Sequence, residues 1–186
     1  MIYTEITPNP ATLKFVTQKI LMHKGSADFP TVESAAASPL ARVLYELSFV
    51  QGVFVSANFV SVTKAADTAW ETAIPVIKKA IAAFLESGQP IIEGLESGEE
   101  GAADDDDTVR RIKQLLEDNI RPAVAMDGGD VIFESFTDGV VRLRMQGACS
   151  GCPSSTMTLK MGIEGLLTRM VPGVTAVEKL NPVVDS

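Results

Sequence analysis

Along the first 90 residues, polar and apolar positions alternate in short runs and then shift to helical spacing. Residues 2–6 and 13–22 read as two strands separated by Thr7-Pro8-Asn9-Pro10. In the second run Leu13, Phe15 and Thr17 alternate with Lys14, Val16 and Gln18, the pattern of a half-buried strand. Ser38 is placed to cap a helix over residues 40–47, with Pro39 at its first position. Residues 50–57 and 59–63, rich in β-branched and aromatic side chains, form a hairpin pattern. A helix follows over 68–87, with Trp70, Ile74, Ile77, Ile81 and Phe84 or Leu85 at helical spacing, and Ser87-Gly88-Gln89-Pro90 stops it. Strands paired with two helices predict an α+β sandwich.

Beyond residue 107 the pattern changes. A helix is expected over 109–120, with Ile112, Leu115 and Leu116 on one face, then strands over 131–136 and 140–145. Asp138-Gly139 between those strands is a strong hairpin signal. A loop over 146–153, a helix to about residue 170 and a strand over 174–180 complete an α-β-β-α-β order, that of a compact α/β domain. The expected organisation is therefore a first domain at 1–88, a linker at 89–107 and a second domain at 108–186.

Charge sharpens the linker. The net charge is −8, yet residues 1–89 carry seven basic and seven acidic side chains, and residues 108–186 carry nine of each. The eight acids between them, Glu93, Glu96, Glu99, Glu100 and residues 104–107, therefore hold the whole imbalance. Such a segment repels itself and extends; about 18 flexible residues would span roughly 20–25 Å. Asp107 or Thr108 would cap the next helix. Neither flank is basic enough for a nucleic-acid footprint, so no nucleic-acid partner is expected. No run of 18 apolar residues predicts a membrane span. The first five residues show neither signal-peptide nor transit character, which sets a cytoplasmic location as the expectation.

Cys149 and Cys152 are the chain's two cysteines, in the run Gly147-Ala148-Cys149-Ser150-Gly151-Cys152-Pro153. In a reducing compartment a structural disulfide is not expected, and so short a loop would constrain little. The loop lies between a strand end and a helix start, where N–H groups and the helix dipole favour thiolate, the ligand form. Both sulfurs can reach one metal centre, as in zinc and iron–sulfur loops. One pair supplies two ligands where zinc or a cluster takes four, so two chains are needed, related by a two-fold axis. His23, the single histidine, reads as a surface residue. From spacing alone, metal binding, thiol–disulfide exchange and inert cysteines all remain open. Against exchange, only about 34 residues follow Cys152, too few to finish a thioredoxin-like sheet.

Asp127-Gly128-Gly129-Asp130-Val131, the hairpin, the cysteine run continuing through Ser154-Ser155-Thr156-Met157-Thr158-Leu159-Lys160, and Gly162-Ile163-Glu164 together resemble the C-terminal domain of NifU-like (Nfu-type) proteins. Thr7-Pro8-Asn9-Pro10 with Leu13-Lys14-Phe15, Ser38-Pro39-Leu40-Ala41, and Gly52-Val53 with Val62-Thr63-Lys64 resemble the N-terminal Nfu domain. The resemblance covers nearly all the chain outside the acidic stretch. It implies a non-enzymatic scaffold or carrier that assembles an iron–sulfur cluster, commonly 4Fe–4S, on a homodimer. Such a protein passes the cluster to apo-proteins and works with other assembly factors. Cys149 and Cys152 carry over as the cluster ligands. A thiol–disulfide oxidoreductase and a zinc-stapled interaction module are the competing readings.

The remaining features have plainer expectations. Asp127-Gly128-Gly129-Asp130 reads as a helix-to-strand turn with Asp side chains bonding the backbone. Arg142, Arg144 and Lys160 either flank a cluster or sit on a solvated strand face. Met157, Met161, Met170 and Trp70 are expected in the core, and the cysteine loop outside it.

Overall fold

The computed structural model describes residues 1–23, 25–93, 106–149 and 153–180, and of residues 153–155 the backbone alone. The chain divides into two compact units, Met1–Gly98 and Glu99–Ser186. Residues 94–105, most of the expected linker, lie outside the described residues.

The first unit is a five-stranded antiparallel sheet under two helices. β1 (Tyr3–Ile6), β2 (Thr12–Val16), β3 (Ser26–Phe29), β4 (Val50–Ser56) and β5 (Phe59–Lys64) lie in the order β1-β2-β5-β4-β3. The register aligns Leu13, Val62, Val53 and Phe29 across the sheet, and Phe15, Val60 and Val55 beside them. That face meets α1 (Pro39–Tyr45) and α2 (Trp70–Ser87) through Leu40, Leu44, Ile77 and Ile81, all fully buried. Burying each such side chain contributes about 1.5–3 kcal/mol. Ser38 caps α1 as expected: its Oγ accepts the Ala41 N–H at 3.1 Å, with Pro39 at the helix start. Gly88, at φ 70°, ends α2.

Several expectations change here. The second strand ends at Val16, not near residue 22, and all five of its residues are buried. Its supposed wet face is occupied by the Phe54 and Phe59 rings, 6.0 Å apart. The Lys14 ammonium lies 4.6 Å over the Phe59 ring and pairs with Glu5 at 2.9 Å, which satisfies the charge at the edge of that face. Strand β3 has no counterpart in the sequence reading; its four residues are fixed by pairing with β4. Trp70 is half-buried at the core's edge, its indole N–H donating to the Pro10 carbonyl at 3.0 Å. Residues 91–93, expected to be linker, dock on this unit. Ile91 and Ile92 pack on its core, the Ile91 carbonyl accepts from Ser38 Oγ at 2.6 Å, and the Glu93 N–H donates to the Ala37 carbonyl.

The second unit follows the α-β-β-α-β order. α3 (Asp107–Leu115) passes through a wider π-type turn, Leu116–Ile120, into α4 (Arg121–Met126). The sheet is β6 (Gly129–Thr137), β7 (Val140–Gly147) and β8 (Ala176–Leu180), with α5 (Pro153–Met170) between the last two. β6 and β7 are antiparallel, and β7 and β8 are parallel, as a crossover through α5 requires. The first helical segment therefore runs further than the expected 109–120. Pro122 has no N–H to continue the α ladder, and the π turn absorbs the gap: the Arg121 N–H bonds to the Leu116 carbonyl, five residues back. No side chain caps α3; Asp107 lies in its first turn, where the dipole favours a carboxylate. The hairpin turn is as expected, with Asp138 at φ 52° and Gly139 at φ 79°, the two positive angles of a type I′ turn. Val141, Leu143 and Met145 of β7 face the core with Ile112, Ile163 and Leu167. No helix among the described residues is long and apolar enough to cross a membrane.

Candidate metal centre

The first helix–strand junction of the second unit and the start of the cysteine loop, as far as Cys149, come together at one end of its sheet. Asp127 ends α4, Gly128 turns at φ 81°, and β6 begins at Gly129, directly opposite Gly147 on β7. The Ala148 N–H donates to the Gly128 carbonyl at 3.2 Å, so the chain entering the cysteine loop is tied to that turn. Thr156 Oγ1 donates to the Cys149 carbonyl at 2.9 Å, tying the loop to the first turns of α5.

Cys149 sits where these ties converge, and it is 4% exposed. It belongs to the same apolar cluster as Met145, Ile163 and Leu167. The expectation that the loop lies outside the core is therefore corrected at Cys149, whose side chain packs as a small hydrophobe. Ser150, Gly151 and Cys152 lie outside the described residues, and Cys152's part in the site stays an expectation from sequence.

Gly129 makes room for that side chain. A Cβ at Gly129 would stand 2.5 Å from the Gln146 carbonyl oxygen and 2.9 Å from Cys149 Sγ. Only a residue without a side chain lets β6 pass so close to β7 and the cysteine.

Asp130 and Arg121 fasten this turn from behind. Arg121 Nε and a terminal nitrogen donate to the two Asp130 oxygens at 2.9 and 2.7 Å, a two-pronged pair, and Arg121 also reaches Glu117 at 2.6 Å. Asp130 further accepts the Val131 N–H at 2.8 Å. The hydrogen bonds it donates to Asp130 hold the Arg121 guanidinium well above its ordinary pKa, against the burial that lowers it. Reading the Asp-Gly-Gly-Asp run as a turn was sound, but Arg121, nine residues earlier, is a partner no spacing rule announced. Replacing Arg121 by Met would leave the buried Asp130 carboxylate without its guanidinium. The expected cost is about 2–3 kcal/mol, below the roughly 3–5 kcal/mol of a fully buried pair because Arg121 is a quarter exposed. Urea unfolding at neutral pH, followed by far-UV circular dichroism, measures it.

The other candidates sort by contact. Arg142 pairs with Glu178 at 3.2 Å and Arg144 with Glu134 at 2.6 Å, each across neighbouring strands on the face away from the core. They form a solvated strand face. Exposed Met157 and Met161 overturn the expectation of core methionines, and Met170 is 41% exposed. The helix turns Ile163 and Leu167 inward instead, which puts 157 and 161 on its opposite side. His23 is exposed in the first unit.

Two α+β units, the second carrying a Cys-x-x-Cys loop between strand end and helix start, define the class of protein. The chain belongs to the NifU-like family. Residues 112–178 match the model described as NifU-like domain, and residues 2–88 the model described as scaffold protein Nfu/NifU N terminal. Over 96% of its length it is 48% identical to NifU-like protein 4, mitochondrial, of Arabidopsis thaliana. Over a 96% share it is also 44% identical to the NFU1 iron-sulfur cluster scaffold homolog, mitochondrial, of Homo sapiens. It spans 65% and 71% of the lengths of these two relatives. The solution structure of a NifU-like protein from Saccharomyces cerevisiae superposes on half of the chain and 85% of its own, with a TM-score of 0.45 and 21% identity.

These relatives correct the expected compartment. Both are named mitochondrial, which overturns the cytoplasmic assignment. That assignment rested on the absence of leader character in five residues, and such an absence carries no address.

Proposed function

We propose that this protein is a scaffold or carrier, not an enzyme, that holds a 4Fe–4S cluster between two copies of the chain and passes it to apo-proteins. Each copy gives Cys149 and Cys152, and the four thiolates complete the cluster. The mitochondrion, the compartment named for the relatives, is the setting for that exchange. The observation that carries the reading is the pairing of one Cys-x-x-Cys per chain with membership of a family whose relatives are named iron–sulfur cluster scaffolds.

The chain's own residues define what it does to its cargo. Gly129 and the Arg121–Asp130 pair hold the strand end against which Cys149 rests. Because Cys149 is buried with Met145 and Ile163, loading draws its side chain outward from the core. Returning it to the core stabilises the emptied protein and favours release. Transfer is thiolate exchange: each client thiolate that binds iron displaces one cysteine sulfur, which takes up the proton the client thiol lost. Iron and sulfide keep their oxidation states.

Anaerobically reconstituted protein, mixed with an apo 4Fe–4S enzyme, should activate it faster than equal free iron and sulfide, and should continue to do so with a chelator present. Activation no faster than with the free ions, or fully blocked by the chelator, would exclude a carrier.

A further inference from the structure

The most exposed positions of α5 are uncharged as far as Arg169; Lys160 and Glu164 are half-buried, and Glu164 Oε2 accepts the Val177 N–H at 3.0 Å. The exposed positions from Met157 onward are Met157, Thr158, Met161, Gly162, Gly165 and Thr168, and the first charged one is Arg169. Met157 and Met161 are 66% and 68% exposed. They stand one helical turn apart on one face, so their side chains adjoin.

Two glycines on that side have no explanation inside the chain. A Cβ at Gly162 or Gly165 would meet nothing within 4 Å. A glycine in a helix interior costs about 1 kcal/mol relative to Ala, and here no neighbour among the described residues calls for the missing side chain. A second backbone approaching this face would.

The position of the face decides which partner. α5 begins at Pro153, the residue after Cys152. At about 1.5 Å of rise per residue, Met157 stands roughly 6 Å and Met161 roughly 12 Å beyond Pro153 along the axis. A second chain bound through its own cysteine loop to the same cluster brings its own α5 start to the same place. In a two-fold pair a patch on the axis meets its own copy. A charge on the axis would face a like charge, so a self-facing patch favours uncharged residues at its centre, as Met157 and Met161 are, with the half-buried Lys160 and Glu164, of opposite sign, beside them; a client protein imposes no such condition. Methionine, flexible and polarizable, fills an irregular seam well.

We infer that the Met157–Met161 face of α5 is the surface on which a second copy of this chain seats when two chains share a cluster. The inference rests on the proposed four-thiolate cluster and adds the protein surface that supports it.

Met161→Glu and Met161→Lys in the full chain, each reconstituted anaerobically with iron and sulfide, provide the test. Light scattering over a dilution series reads the dimer. Each variant alone should dissociate at least about tenfold more readily than the parent, because like charges then face each other across the axis. An equal mixture should return to within about threefold of the parent, as a charge-paired heterodimer. Because residue 161 is exposed, the melting curves of the unloaded variants should match the parent's. Parent-like dimers from both variants would overturn the inference while leaving the cluster reading standing. Parent-like dimers that no longer transfer would assign the face to a client and overturn it too. If the parent itself takes up no iron, the cluster reading fails and the inference falls with it.

Discussion

Cys149→Ala is expected to abolish iron–sulfur binding and, separately, to lower the stability of the second unit by about 1 kcal/mol. The first effect follows from ligand count. A dimer of such chains offers two thiolates instead of four, and water or a buffer thiol must fill the rest of the cluster's coordination. The second follows from burial. Cys149 lies in the apolar cluster with Met145, Ile163 and Leu167, and removing its sulfur leaves a small void. A lost buried group of methylene size costs about 1 kcal/mol, including the cavity. The pair of effects is what distinguishes this position. A ligand at the surface would lose iron with no change in the unloaded protein's unfolding, and a purely structural cysteine would lose stability with iron content unchanged. Iron and sulfide assays on reconstituted protein, beside urea unfolding of the unloaded variant, read both.

Gly129→Ala is the second large effect. Its new methyl would lie 2.5 Å from a backbone oxygen and 2.9 Å from Cys149 Sγ. A flexible side-chain end could move aside at small cost. The Gln146 carbonyl cannot, because β7 is held in register with β6 from Gly129↔Gly147 to Thr137↔Val140. The strand end must separate or the cysteine must be displaced. The expected cost is about 2–3 kcal/mol, the upper range for overpacking a tight site, with a loss of cluster yield that raising the iron concentration does not restore. Gly162→Ala is the internal comparison. Nothing within 4 Å opposes its methyl, so in the unloaded protein it should stabilise the helix by about 0.5–1 kcal/mol. If the two substitutions behaved alike, the close approach at Gly129 would not be what shapes the cysteine site.

What the sequence made legible was local. Ser38-Pro39 at a helix start, Asp138-Gly139 at a type I′ turn, Gly88 at the end of α2 and the helical spacing of Ile77 and Ile81 each act within a few residues. Each appears where the pattern placed it. The order of elements in the second unit followed from the same signals. What stayed hidden depends on distant chain. β3 carries Ser26, Ala27, Asp28 and Phe29, with no alternation to announce it, and exists because β4 offers an edge. The helix was expected to end near residue 120, and a wider turn carries it past Pro122. Lys14 and Val16 seemed to face water until Phe54 and Phe59 came to share their face.

The site divides the same way. Its cysteines were visible in the sequence because their spacing is itself the signal. The Arg121–Asp130 pair, the closeness of Gly129 to Cys149 and the depth of Cys149 were not, since each joins separate elements in space: α4 to β6, β6 to the loop after β7, and that loop to β7 and α5. The methionines of α5 were misplaced because Ile163 and Leu167 compete for the same inner face and win it.

The central claim is that two chains share one cluster through four thiolates. Native mass spectrometry of the anaerobically reconstituted protein tests it most directly. The account predicts one dominant species with the mass of two chains plus a single four-iron, four-sulfide cluster, reverting to single chains when the cluster is removed. An iron–sulfur-loaded single chain, or a dimer held by zinc with no sulfide, would contradict it.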